Sequence, residues 1–180
     1  MKALRGAVKL RPFKGARLQS ALDTGVVDGE EIAAYVKKGG DTRALVINIE
    51  SQAAIDNLEN MLAPELEVDA VLIGPHDLSC NLGVPEQYSH PKFVEAVKTI
   101  FKKARAAGVG AAIHHIGTLF GEGMQNSDAA TMVKEWGCNV IVTGGDLVFF
   151  IDGLKKALKE IKTLAGDAPA TSQEGAFVAV

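Results

Sequence analysis

Four short apolar runs punctuate the chain: Ala44 to Ile49, Ala70 to Ile73, Val109 to Ile113 and Asn139 to Val142. Each is rich in Val, Ile or Ala, and each leads into polar residues and then a helical pattern. The runs lack regular polar alternation, which predicts strands buried on both faces, as in a parallel sheet covered by helices. Helix ends are marked between them. Ser51 can cap a helix reaching about Leu62, with Ala53, Ala54, Leu58, Met61 and Leu62 as its apolar side. Ser89-His90-Pro91 opens the clearest helix, because Pro suits a first turn, and Phe93, Val97, Ile100 and Ala104 recur at helical spacing until Gly108. Ser127 can cap a third helix, to about Trp136 with Gly137 at its end, and a fourth runs from near Leu147 to about Leu164. Upstream, Arg11 to Gly15 is a loop signal, Asp28 to Lys38 is a helix candidate closed by Gly39-Gly40, and no strand is expected.

This rhythm is that of strand, crossover helix and two loops. A complete eight-stranded α/β barrel takes about 250 residues and rarely fewer than 200, so a chain of 180 residues with four units falls short of one. An open sheet is the alternative, with two unprotected edges unless the N-terminal segment or another subunit covers them.

Composition narrows the class. Asp plus Glu number 22 against 19 Lys plus Arg, and 47% of positions are apolar, which predicts one globular domain and argues against both acidic disorder and a uniformly basic nucleic-acid binder. Runs such as Leu147 to Ile151 are far short of the roughly 20 residues of a membrane helix. Met1 to Arg17 is cationic without acids, but no apolar core or small-residue cleavage site follows, so it is read as part of the mature chain. Two cysteines in unlike settings, Cys80 and Cys138, suggest neither a disulfide framework nor a thiolate metal site, and a reducing cytoplasm is the expected setting. Residues 1–164 are expected to form the folded domain. Residues 165–180, small and polar until Phe177-Val178, read as a flexible tail or an arm that packs on a neighbour.

Ligands of parallel α/β sheets bind at the carboxyl ends of the strands, which singles out Asn48 and Glu50, Gly74-Pro75-His76-Asp77, His114 and His115, and Thr143-Gly144-Gly145-Asp146. Glu50 and Asp77, at the ends of adjacent strands, would face one cavity about one strand spacing apart. Two hard oxygen donors suit Mg²⁺ or Mn²⁺, with waters and a chelating substrate completing the octahedron. The plainer alternative is that both acids cap the helices or turns after them. His114 and His115 leave a strand in opposite directions, so at most one faces the cavity. Gly144-Gly145-Asp146 could offer backbone N–H groups to an anion but lacks the spacing of a phosphate-binding signature, and capping of the last helix is the simpler role for Asp146. Neither cysteine has a His at suggestive spacing and no Gly-x-Ser-x-Gly elbow occurs, so nucleophilic acyl transfer has no local support.

Val46-Ile47-Asn48-Ile49-Glu50-Ser51, Asn57-Leu58-Glu59, the run from Val68 through Gly74-Pro75-His76-Asp77-Leu78-Ser79, and Leu82-Gly83 to His90-Pro91 together resemble the HpcH/HpaI family of metal-dependent class II pyruvate aldolases. The likeness continues through Ala104 to Ile113 and from Gly137-Cys138-Asn139 to Asp146. It implies an α/β fold that is part of a TIM (β/α)8 barrel, its four parallel strands corresponding to strands five to eight. It implies Glu50 and Asp77 as ligands of a divalent cation (Mg²⁺, Mn²⁺ or Co²⁺). Gly74 to Asp77, chiefly the backbone N–H groups of His76 and Asp77, would meet the carboxylate of a 2-oxo acid such as pyruvate. Asn48 stands where many members have Gln, beside the metal and substrate.

The implied reaction cleaves a 4-hydroxy-2-oxo acid to pyruvate and an aldehyde through an enolate stabilised by a Lewis acid. The family's proton-transfer His and oxyanion-steadying Arg belong to the first half of the barrel and have no counterpart in this sequence, so its catalytic residues stay unassigned and its turnover is expected to be impaired. Homo-oligomers are expected, with no membrane or nucleic-acid partner. Two alternatives stand beside this reading. One is a non-catalytic half-barrel that serves binding or assembly, and the other is an acyl-CoA lyase of the citrate or malyl-CoA type.

Overall fold

The computed structural model describes residues 1–115 and 126–166. Three helices come first, α1 (Lys2–Lys9), α2 (Gly15–Thr24) and α3 (Glu30–Asp41), followed by strand β1 (Val46–Ile49) and the short helices α4 (Gln52–Asp56) and α5 (Leu58–Met61). After β2 (Ala70–Ile73) come α6 (Pro75–Asn81) and α7 (Pro91–Ala106), after β3 (Gly110–His115) comes α8 (Asn126–Glu135), and β4 (Val140–Thr143) leads into α9 (Asp146–Leu164). The four strands form one sheet in the order β1-β2-β3-β4, every pair parallel.

The predicted elements are present, with shifts at their ends that have local causes. Ser51 caps as expected, its Oγ accepting from Ala54 N at 3.3 Å, but the helix after it divides at Asn57 into α4 and α5. Within the expected Ser89-His90-Pro91 opening of α7 the cap is His90: its Nδ1 accepts from Lys92 N at 3.1 Å, and Pro91 takes the first turn. The third of these helices starts at Asn126, one residue before the expected cap Ser127. Helix α3 does not close at Gly39-Gly40 but continues to Asp41. Gly40 serves an approach between helices instead, since a Cβ there would stand 2.8 Å from the carbonyl oxygen of Lys9 in α1. Helices α1 and α2 flank the loop signal at Arg11 to Gly15 and have no counterpart among the expected elements. Most of the tail expected at 165–180 lies outside the described residues.

Burial corrects a further expectation. The sheet is covered on one face, not two. Ile47, Ile49, Val71, Ile73, Ala111 and Ile113 are buried against helix side chains that include Leu58, Phe93, Val97, Ile100 and Phe101. The alternate residues point the other way, and there Val46, Asn48, His114, Val140 and Val142 are exposed. The period of two in a strand sends neighbours to opposite faces, and the crossover helices pack on one of them. Helix α9 buries none of its side chains, although Leu147, Leu154, Leu158 and Ile161 recur at helical spacing.

The amino ends of the strands are stitched together by side chains. Asp69, just before β2, accepts from Leu45 N at 2.6 Å and pairs with Lys9 Nζ of α1 at 2.7 Å through the same oxygen, Oδ2. Its backbone donates to Leu45 O at 2.9 Å and accepts from Gly110 N at 2.8 Å. Asn139, just before β4, repeats the device: its Oδ1 accepts from Ala111 N at 2.7 Å. These two residues set the register that the apolar runs alone leave free.

Burial alone would raise the Asp69 carboxyl, but the hydrogen bonds from Lys9 and Leu45 outweigh it and hold the group below its ordinary value of 3.8. A carboxyl lowered on folding contributes stability above its unfolded pKa and loses that contribution as pH falls through the folded value. The side chain keeps 46% of its exposure, so the gain is modest. Asp69→Asn is expected to cost about 1 kcal/mol in urea denaturation at pH 7, with the gap between variant and parent closing as the pH is taken below about 4.

Candidate functional site

The β1–β2 register pairs Asn48 with Leu72 and Ile49 with Ile73, and one step further along it brings Glu50 level with Gly74. There the Glu50 side chain lies across the glycine. A Cβ on Gly74 would stand 2.7 Å from Glu50 Oε1 and 3.1 Å from its Cγ, so the space is available only because Gly74 has no side chain. On the same face, two residues earlier, Asn48 Nδ2 donates to Glu50 Oε1 at 3.1 Å. The carboxylate is thereby aimed along the carboxyl rim of the sheet.

Each residue after Gly74 has a distinct task. Pro75 is buried and opens α6, and Leu78, fully buried, anchors the helix in the core. Asp77 stands exposed in the first turn between them. His76 turns its ring outward, Nδ1 lying 3.3 Å from Glu86 Oε1. Ser79 is buried and acts as a clip: its Oγ donates to His76 O at 2.8 Å and accepts from Glu86 N at 2.9 Å. It fixes the first turn of α6 against the loop at Val84 to Glu86. No separate sequence signal marked this role, though Ser79 ends the distinctive run that starts at Gly74.

The structure therefore brings Asn48, Glu50, Gly74 and Asp77 to one rim, turns Pro75 into the core and leaves the backbone N–H groups of His76 and Asp77 in the helix turn that lacks internal acceptors. The capping alternative does not describe either acid: Ser51 caps α4, and α6 has no side-chain cap bond. Among the described residues neither Glu50 nor Asp77 forms an ion pair with a cation. Nor do three or more His, Cys, Asp or Glu side chains gather there as a ready-made cage. Two carboxylates without cationic partners among the described residues suit a hard divalent cation that keeps waters and takes further oxygens from its ligand, as Mg²⁺ does.

The other candidates separate cleanly. His114 is exposed on the open face, while His115 is buried on the helix side, its Nδ1 3.3 Å from Thr143 Oγ1. Asp146 does not cap α9 as expected: Gly145 takes the cap position with no side-chain cap bond, and Asp146 lies in the first turn, its Oδ1 accepting from the adjacent Leu147 N at 2.8 Å. Cys138 is buried, which pushes its thiol up and away from the nucleophilic form. A groove of 540 Å³ between α5 and α7 and another of 790 Å³ among α1, α2 and α3 both lie away from the rim. The candidate site is a shelf on the open face rather than a closed cavity.

Residues 19–151 match the family model described as HpcH/HpaI aldolase/citrate lyase. A 2-keto-3-deoxy-L-rhamnonate aldolase of Escherichia coli is 32% identical over 129 residues, which cover 72% of this chain and 45% of that protein. The chain thus spans about half the length of the curated relatives it matches. Among solved structures, an HpcH/HpaI aldolase from Desulfitobacterium hafniense DCB-2 superposes with a TM-score of 0.66 at 25% identity, over 92% of this chain and 61% of that one. The citrate synthase SbnG shares the fold at 17% identity with a TM-score of 0.64, over 92% and 60%. The four-stranded sheet with its helices is accordingly part of a (β/α)8 barrel, and a barrel strand has one face toward the helices and the other toward the barrel interior. That arrangement accounts for the single covered face.

Removing the clip tests how the rim is held. Ser79→Ala leaves Glu86 N–H and His76 C=O without their shared partner, and equilibrium urea unfolding is expected to show a loss of about 1–3 kcal/mol. A loss below a few tenths would mean that the loop at Glu86 holds α6 by other contacts.

Proposed function

The chain belongs to the HpcH/HpaI aldolase/citrate lyase family, and from that premise we propose that its open rim binds a divalent cation and a small 2-oxo acid for aldol chemistry. The reaction is cleavage of a 4-hydroxy-2-oxo acid to pyruvate and an aldehyde, or its reverse. The observation that carries the reading is the pair of carboxylates at the ends of adjacent strands, Glu50 laid over Gly74 and Asp77 in the next turn, both free of cationic partners.

Glu50 and Asp77 would hold the cation, whether Mg²⁺, Mn²⁺ or Co²⁺. A cation held there would supply Lewis-acid polarisation of a substrate carbonyl oxygen. Asn48 orients Glu50 through its hydrogen bond and thereby sets the direction of one donor oxygen. The N–H groups of His76 and Asp77, in a helix turn with positive partial charge, suit the substrate carboxylate. Pro75 and Ser79 keep that turn in place, and the open face leaves room for the rest of the substrate.

A second reading has its own support. The open face carries exposed Val46, Val140 and Val142, and α9 buries none of its apolar side chains. Both features suit a half-barrel completed by another polypeptide in a homo-oligomer. In that case binding at the rim is retained and turnover by the lone chain is low. A cytoplasmic setting agrees with two free cysteines and with helices that, among the described residues, are neither long nor apolar enough to cross a membrane.

Titration calorimetry with Mn²⁺ and pyruvate tests the site. Pyruvate is expected to bind in the presence of Mn²⁺, and Glu50→Gln and Asp77→Asn are each expected to weaken that binding at least tenfold, about 1.4 kcal/mol. Gly74→Ala should do the same by displacing the Glu50 carboxylate, with the fold intact by circular dichroism. Indifference to all three substitutions would remove the proposal. A coupled pyruvate-release assay on a 4-hydroxy-2-oxo acid then separates the two readings: turnover supports the aldolase, and binding without turnover supports the half-barrel module.

A further inference from the structure

Aldol chemistry at this rim needs a group that takes a proton from the methyl carbon of pyruvate and returns it, and the residues carried over from the family leave that group unassigned. The chain has four histidines, and the structure separates them by what each already does. His76 turns outward to Glu86. His90 caps α7. His115 is buried on the helix side beside Thr143. His114 alone is exposed on the open face, and it has no hydrogen-bond partner among the described residues.

Its position is fixed by the strand register. Ile73 pairs with Ile113, which brings His114 level with Gly74, and Gly74 in turn is level with Glu50. His114 is therefore two strand spacings from Glu50, about 9.6 Å between backbones, with a position that bears no side chain between them. That separation leaves room for a three-carbon acid and keeps the imidazole out of any three-residue metal cage, in agreement with the lack of such a cluster among the described residues. The surrounding open-face residues of β2, β3 and β4 are Ala70, Leu72, Gly110, Ala112, Val140 and Val142. Among the described open-face residues of β2, β3 and β4, His114 is the one imidazole.

Resting on the 2-oxo acid reading above, we infer that His114 is the proton carrier for the methyl carbon of pyruvate. In enolisation a ring nitrogen takes a proton from that carbon. The C–H bond breaks, its electron pair forms the C2–C3 double bond, and negative charge moves to the carbonyl oxygen. In the reverse step the imidazolium returns the proton to carbon and the enolate becomes pyruvate. No oxidant or further reactant is needed.

The test is exchange of the pyruvate methyl protons in D₂O, followed by loss of the methyl proton NMR signal with the full chain and Mg²⁺. A second readout is the set of four histidine ring signals, with the His114 signal identified by its loss in His114→Gln. The parent chain is expected to exchange the methyl protons, and its His114 signal is expected to shift when pyruvate is added. His114→Gln should slow exchange about 100-fold or more, the scale of a lost general base, while Mn²⁺-dependent pyruvate affinity stays within about twofold. Exchange at the parent rate in His114→Gln would overturn the assignment, as would a parent chain that binds pyruvate without exchanging its protons. A parent chain that shows no metal-dependent pyruvate binding would instead bring down the 2-oxo acid reading, and the His114 assignment with it.

Discussion

The candidate rim depends on one steric constraint, the passage of the Glu50 side chain over a backbone position that carries no Cβ. Parallel pairing of β1 with β2 places Glu50 level with Gly74, and any larger residue there would meet the carboxylate at 2.7 Å. The constraint couples register to chemistry. A slip of one residue would turn Glu50 toward the helices and away from Gly74. Asp77 is set by the same strand end, because Gly74 is both the space for Glu50 and the residue from which α6 begins.

The opposite end of the sheet explains why that register holds. Asp69 and Asn139 each sit one residue before a strand and accept the N–H of a residue on the preceding strand side, so β1, β2, β3 and β4 are aligned at their amino ends before their carboxyl ends are used. Lys9 joins α1 to the same carboxylate. Stability resides mainly on the helix-covered face, where Phe93, Phe101, Ile100 and Ile113 are fully buried. The open face contributes little packing of its own, and its Val46, Val140 and Val142 are exposed. In barrel strands alternate residues face the helices and the barrel interior.

Much of this was legible in the residues, and the parts that were not have physical reasons. Apolar runs and end signals located all four strands and the helix from Pro91, since Phe93, Val97, Ile100 and Ala104 carry a strong 3.6-residue period. Placing Glu50 and Asp77 at adjacent strand ends needed only the order of the elements. Burial on both faces was a wrong inference, because Val is as common on the interior wall of a barrel as in a helix-covered core, and periodicity cannot tell the two apart. Gly39-Gly40 misled for a related reason: a glycine that ends a helix and one that lets two helices approach look alike in sequence. The clip at Ser79 and the stitches at Asp69 and Asn139 depend on partners 7, 24 and 28 residues away, which no local pattern reveals. The split between His114 and His115 follows from strand alternation, but which of them faces the rim required the register.

The central claim is that Glu50 and Asp77 share one cation at the open rim, and anomalous diffraction from crystals grown with Mn²⁺ and pyruvate tests it most directly. The account predicts a single strong anomalous peak between the two carboxylates, beside Gly74, with pyruvate oxygens completing its coordination. A peak held by other side chains, or the two carboxylates directed away from each other around an ordered pyruvate, would contradict it.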